Sequence, residues 1–357
     1  MIDNILKKIE KIDEKYIAEA QRHWLSIAKP LNGLGVLEGD IARMNAIFKG
    51  EIPEIKGALV VMCSDHGVVQ EGVTQTNKEV TALVARNFET GKTTASIMAK
   101  EIGVDVFPVD IGIDCELYGK DRLTVDKIFN NKIAFGCKNI ALEDAMTKEE
   151  CLKAIECGID CVKTLKSRGY NLIVTGEMGI GNTTPSATLA TVILDKNAEQ
   201  TTGKGAGLSF DSYQKKIATV ESAVKRFKKQ QDKSAFYMLS SLGGLEIAGM
   251  VGLFLGGAIH KTPVLIDGFI SSISAVVATH MCEDVKGYVL ASHVSNESCA
   301  KELLDEIDVK PVVNGGFCVG EGTGALMYVP MLKMALKVYE NMCTFDEINL
   351  DRYKEYK

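Results

Sequence analysis

The sequence predicts an α/β fold: a doubly wound, mainly parallel sheet flanked by helices, with a small helical second domain. Three observations lead there. From residue 57 onward, short β-branched apolar runs recur between longer segments of helical period. Those runs are continuously apolar, as strands covered on both faces are. Glycine-rich polar turns follow them, and open α/β sheets keep their ligands beyond the strand carboxyl ends. With 357 residues the chain can hide roughly three-quarters of the surface its unfolded form exposes, so its core needs no disulfide or metal staple.

In chain order, residues 1–24 carry Ile5, Ile9, Ile12, Tyr16 and Ala20 on one face, which predicts a single N-terminal helix. Strands are expected at 58–63, 104–109, 170–174, 263–266 and 288–291. Residues 112–146 are polar and aperiodic and read as an excursion over the surface. Cys151, Cys157 and Cys161 fall on a helical pattern as small apolar fillers. The most apolar run, 245–259, carries Glu246 and is shorter than the ~20 residues of a membrane crossing, so it reads as a buried helix. Both chain ends are helical. The expected division is an α/β domain over 51–324 and a small helical domain made of 1–50 and 325–357.

Composition removes several function classes. Lys and Arg number 41 against 47 Asp and Glu, a net charge of −6, which lacks the basic surplus of a nucleic-acid binder. The ten cysteines form no C-x-x-C pair and no spacing group with the five histidines, which argues against zinc and against a secreted disulfide framework. The charged N-terminus has no apolar stretch of signal-peptide type. A reducing cytoplasm is the expected compartment, with no membrane or nucleic-acid partner.

Five strand ends carry glycine, small hydroxyls and single carboxylates: 64–67, 176–184, 267–269, 292–295 and 315–325. In the second, Gly179 and Gly181 let backbone approach a ligand, Asn182, Thr183 and Thr184 offer donors, and Pro185 suits the first residue of a helix. A glycine turn leading into a helix is a ready anion site, although an ordinary strand-to-helix turn accounts for it equally well. Gly203 and Gly205 form a weaker cluster before a helix holding Lys215 and Lys216, again suited to an anion or to a plain surface loop. Glu321, between glycines and near Phe317 and Val319, is expected to have a raised pKa and to suit a general base. His66 has no metal-ligand or triad spacing and is expected to order its loop by hydrogen bonds.

Taken together, Ser64-Asp-His-Gly-Val68, Glu71-Gly-Val-Thr74, Glu177-Met-Gly-Ile-Gly-Asn-Thr-Thr184, Gly203-Lys-Gly-Ala-Gly-Leu208, Leu242-Gly-Gly-Leu-Glu-Ile-Ala248, Pro263-Val-Leu-Ile-Asp-Gly-Phe-Ile270 and Gly320-Glu-Gly-Thr-Gly-Ala325 occur in the order of a known family. Over about 29–347 the chain resembles nicotinate-nucleotide:5,6-dimethylbenzimidazole phosphoribosyltransferases, which make the lower-ligand nucleotide of cobamides. The resemblance implies transfer of 5-phosphoribosyl from nicotinate mononucleotide to a benzimidazole nitrogen, with nicotinate released and no metal or organic cofactor. It makes Glu321 the catalytic base and Glu177 a second pocket carboxylate aiding charge at the anomeric carbon. Phosphate and ribose contacts carry over to Gly179, Gly181, Asn182, Thr183, Gly203, Gly205, Lys216, Asp267, Gly268 and Ser295. The acceptor base falls to Thr74, Leu83, Met178 and Val319. The family implies a homodimer whose subunits complete each other's sites.

The sequence also departs from the family. Leu31-Asn-Gly-Leu-Gly-Val-Leu-Glu38 lacks the family's serine and arginine, Thr76-Asn77 replaces an aromatic-proline pair, Leu83 stands near an expected glutamine, and Ser209-Phe210 replaces an acidic pair. A pocket with fewer polar grips leaves adenine, another benzimidazole or a phenolic base as alternative acceptors. A non-catalytic or hetero-oligomeric subunit is the alternative to an active enzyme.

Overall fold

Six strands form one sheet in a computed structural model that describes residues 2–117, 129–205 and 207–354. They are β1 (Gly57–Ser64), β2 (Asp105–Gly112), β3 (Phe129–Asn130), β4 (Leu172–Met178), β5 (Val264–Ile266) and β6 (Val289–Ala291). Every pairing is parallel, and the order β3-β2-β1-β4-β5-β6 makes the sheet doubly wound, with the change of winding direction between β1 and β4. At that switch point Met62 pairs with Glu177 and Cys63 with Met178. The expected strands are thus present, and β3 adds a two-residue edge that the polar 112–146 stretch did not announce. Residues 118–128 of that stretch lie outside the described part.

All of β1 is buried, and its pleat divides the core in two. Ala58, Val60 and Met62 enter the core beneath the helices Lys148–Ser167 and Leu245–His260. Leu59, Val61 and Cys63 enter the opposite one, with Leu326, Val329 and Leu332 of the helix Thr323–Asn341. The apolar run does form a buried helix, and its glycines serve packing. A Cβ on Gly252 would stand 2.1 Å from the Ile155 carbonyl, so this pair of helices meets closer than side chains allow.

The N-terminal pattern corrects the expectation of one helix. Ile2–Leu6 and Glu14–Ser26 are separate, because the Asp13 carboxylate accepts the Lys15 N–H at 3.0 Å and starts a second helix. The helices of the two chain ends touch: buried Tyr328 donates to Asp40 at 2.7 Å, Trp24 meets Tyr339 edge-on, and Ile27 pairs antiparallel with Thr344. No described helix is long and apolar enough to cross a membrane.

Candidate active site

Beyond the carboxyl ends of β4, β5 and β6 lies a cavity of about 220 Å³. Its walls are 176–180 with Asn182 and Thr183, Gly205, residues 267–271, His293, Ser295 and Glu297, and 317–321 with Thr323. The cavity lies beyond strand carboxyl ends, where open α/β sheets keep their ligands, on the β4 side of the switch point.

Glu177 is the last residue but one of β4 and has regular strand pairing. The Asn182 side-chain amide donates to its Oε2, which ties the carboxyl to the turn that follows. Burial, then the nearby Asp267, Glu246 and Glu321 carboxyls, push its pKa up to about 8, against the pull of Asn182. The helix after this turn begins at Thr183, so Pro185 sits in its first turn rather than at its first residue.

Glu321 stands on a left-handed backbone, φ 60°, between Gly320 at 81° and Gly322 at 89°. Its carbonyl lies against Gly176 of β4, and its carboxylate accepts the Ala95 N–H at the start of the helix Thr94–Glu101. The pKa is raised, chiefly by burial and secondarily by Asp267, with the Ala95 N–H opposing. One oxygen, Oε2, is buried without a partner. The burial does not come from Val319, which is 59 % exposed; β4 and the Thr94–Glu101 helix enclose the group instead.

Asp267, expected as a phosphate or ribose contact, also has a structural task. It lines the cavity, and Oδ1 accepts the Ala325 N–H at 3.0 Å and Oδ2 the Gly322 N–H at 3.1 Å. Its carboxyl therefore holds the first turn of the Thr323–Asn341 helix, and so fixes Glu321 beside it. Burial still raises its pKa to about 6.

Lys216 is not the solvated helix lysine that its sequence setting suggests; it is 1 % exposed. Its Nζ donates to Thr183 Oγ1 and to the Gly203 carbonyl, both at 2.9 Å, which leaves one of three donors for a ligand next to Gly205. Burial lowers its pKa to about 8.

Among the other expected contacts, Glu177, Met178, Gly179, Asn182, Thr183, Gly205, Gly268, Ser295, Val319 and Glu321 share the cavity. Gly181, Gly203 and Lys216 stand behind it. Thr74 and Leu83 are not brought to it: Thr74 donates to the Thr76 carbonyl, and Leu83 is 56 % exposed on the helix Glu79–Glu89. Sequence reasoning missed His293, which lines the cavity from the loop after β6, and Glu246, whose charge reaches Glu177. It also missed a buried group of His66, Cys137 and Glu246, whose donor atoms lie within 4.8 Å of one another. There His66 Nε2 pairs with Glu246 Oε1 at 2.8 Å, so the histidine does tie its loop down.

Comparison with known proteins bears directly on this arrangement. A family model described as phosphoribosyltransferase matches residues 9–350. A Clostridium acetobutylicum protein named nicotinate-nucleotide–dimethylbenzimidazole phosphoribosyltransferase is 37 % identical over 357 residues, 100 % of this chain and 99 % of the relative. One of the same name from Acetivibrio thermocellus is 39 % identical, with 99 % of each chain covered. The crystal structure of CobT from Thermus thermophilus superposes with a TM-score of 0.88 at 30 % identity, over 95 % of this chain and 100 % of that one. The chain therefore belongs to the phosphoribosyltransferase family whose model spans its residues 9–350.

Proposed function

We propose that the protein transfers 5-phosphoribosyl from nicotinate mononucleotide to a nitrogen of 5,6-dimethylbenzimidazole or a related base, the step that activates a cobamide lower ligand. The observation that carries this reading is two carboxyls with raised pKa facing one cavity that a buried lysine backs. The bond from the anomeric carbon to the nicotinate nitrogen breaks, a bond to the base nitrogen forms on the opposite face, and the configuration passes from β to α. The pyridinium leaves with the bonding pair as neutral pyridine nitrogen. The incoming base must shed its N–H proton, and Glu321, which lines the cavity, accepts it. Glu177, protonated for the most part near neutral pH, donates a hydrogen bond in the pocket rather than adding a second anion. That differs from its expected role in stabilising positive charge.

Lys216 and the turn at Gly179–Thr183 suit the phosphate: an ammonium with a spare donor stands beside backbone that leads into a helix. Met178 and Val319 suit the flat apolar base. Thr74 and Leu83 stand off the cavity of their own chain, which fits a homodimer in which a second copy completes the base site. Helices of 1–50 and 325–357 would form its small domain, and the cytoplasm its compartment.

The test is the purified chain with nicotinate mononucleotide and a panel of bases, including dimethylbenzimidazole, adenine and a phenol. Nicotinate release, product mass and anomeric configuration are read together with mass in solution. An α-ribotide of a benzimidazole is expected. No nicotinate release with any base would leave a non-catalytic subunit in its place.

A further inference from the structure

His293 is fixed on three sides. It is 4 % exposed, and its ring meets Phe317 edge-on at 5.4 Å between centroids. Beneath it lies the first turn of the Thr323–Asn341 helix, so close that a Cβ on Gly324 would stand 2.0 Å from the ring's Cε1. A ring held this way presents the same edge to the cavity at all times.

The neighbours also fix its tautomer. Nδ1 is 3.0 Å from Ser292 Oγ, and that hydroxyl is 2.7 Å from the Ile266 carbonyl and 3.1 Å from that of Asp267. A serine hydroxyl has one hydrogen, and here two carbonyls compete for it. Its oxygen is therefore left to accept, and Nδ1 carries the ring proton. Nε2 then bears a lone pair and has no hydrogen-bond partner among the described residues. Burial reinforces this state by pushing the imidazole pKa down to about 4, with no neighbouring acid to oppose it.

A neutral acceptor needs a donor on the ligand. Nicotinate mononucleotide has few: its carboxylate, its pyridinium ring and its phosphate dianion carry none, and only the two ribose hydroxyls do. Lys216 and the glycine turn suit the phosphate, and the two glutamates suit the reacting end, so the ribose spans the space between. Gly268, on the same wall, lies beside that edge: a Cβ there would touch the ring's Cε1 and Nε2, each at 3.8 Å, so the absence of a side chain leaves the imidazole edge open to the cavity.

We infer that His293 Nε2 accepts a hydrogen bond from a ribose hydroxyl of the nucleotide, making the enzyme selective for ribosyl over deoxyribosyl donors. This rests on the reaction proposed above and names the residue that reads its sugar. Sites built to hydrogen-bond a hydroxyl reject the analogue that lacks it, because the buried partner is left unpaired.

The experiment compares kcat/KM of the full chain on nicotinate mononucleotide and on its 2′-deoxy and 3′-deoxy analogues. The wild-type protein is expected to lose on the order of ten-fold or more on one analogue, and which one identifies the hydroxyl. His293→Asn keeps an amide near the position of Nδ1 and deletes Nε2. Its ratio between ribosyl and that deoxyribosyl donor should collapse toward one, whereas His293→Gln, whose amide reaches the Nε2 position, should recover part of it. A purely structural role would lower all three donors by one factor and leave the ratio intact, which would overturn the inference. Equal wild-type rates on all three donors would overturn it without any variant. A wild-type chain that releases no nicotinate at all defeats the proposed reaction itself, and so is told apart from either result.

Discussion

Two acidic residues meet at one wall of the cavity, and their segments are built in opposite ways. Glu177 lies near the end of a regular strand in register with Met62, and the Asn182 amide holds its carboxyl. Glu321 stands between two glycines on left-handed backbone, held only by a helix-starting N–H and with one oxygen unpartnered. Burial raises both pKa values. What separates them is company: three carboxyls crowd Glu177 and drive it to about 8, whereas Glu321 has only Asp267 acting against it and a backbone N–H in its favour. Burial alone therefore does not assign acid and base. Neighbours do, leaving one group with a proton to give and the other with a lone pair to receive one.

The strongest way to break that division is Glu321→Gln. Turnover should fall on the order of 10²-fold or more, the usual scale for a positioned general base, with the unfolding midpoint little changed. A loss of only a few-fold would move the base elsewhere in the pocket. Glu177→Gln should cost less, about ten-fold at pH 7, because an amide resembles the protonated carboxyl it replaces. The pH dependence sharpens the contrast: wild-type turnover should decline as pH rises through about 8, and that limb should vanish in Glu177→Gln. Stability carries the same signature. The folded-state pKa lies above the unfolded value of about 4.5, so the folded chain holds the extra proton between those values. Stability then falls as pH rises from about 4.5 through 8, and Glu177→Gln should flatten that slope in urea titrations.

Much of this architecture can be read along the chain. Five strands show as largely apolar runs, interrupted at Asp105 and Asn171, because most of each is covered on both faces, and the turns after them stand out because close backbone approach demands glycine. What escapes is whatever depends on distant partners. His66 meets Glu246 across 180 residues, so no local spacing could have grouped them. Asp267 stands out as a lone carboxylate at a strand end, but nothing local announces that it also holds a helix start 55 to 58 residues later. Lys216 sits in a run of charged helix residues and is distinguished only by burial. Leu83 and Thr74 are aligned to the base by resemblance, and the chain's own packing does not bring them in.

The smallest effect tests whether the two segments touch as drawn. Gly320 and Gly316 both have positive φ, 81° and 69°. Alanine at either position should cost about 1–2 kcal/mol, the penalty of an L-residue in the left-handed region. At Gly316 the added methyl meets nothing within 4 Å. At Gly320 it would stand 2.7 Å from Glu177 Oε1, and because Asn182 holds the other oxygen, the carboxyl must give way. The two variants should therefore lose similar stability in denaturant titrations, while Gly320→Ala alone loses several-fold in turnover and shifts the alkaline limb assigned to Glu177. Equal kinetics in the pair would mean that Gly320 does not press on Glu177, and the contrast between the two carboxyls would then have to rest on burial and charge without that contact.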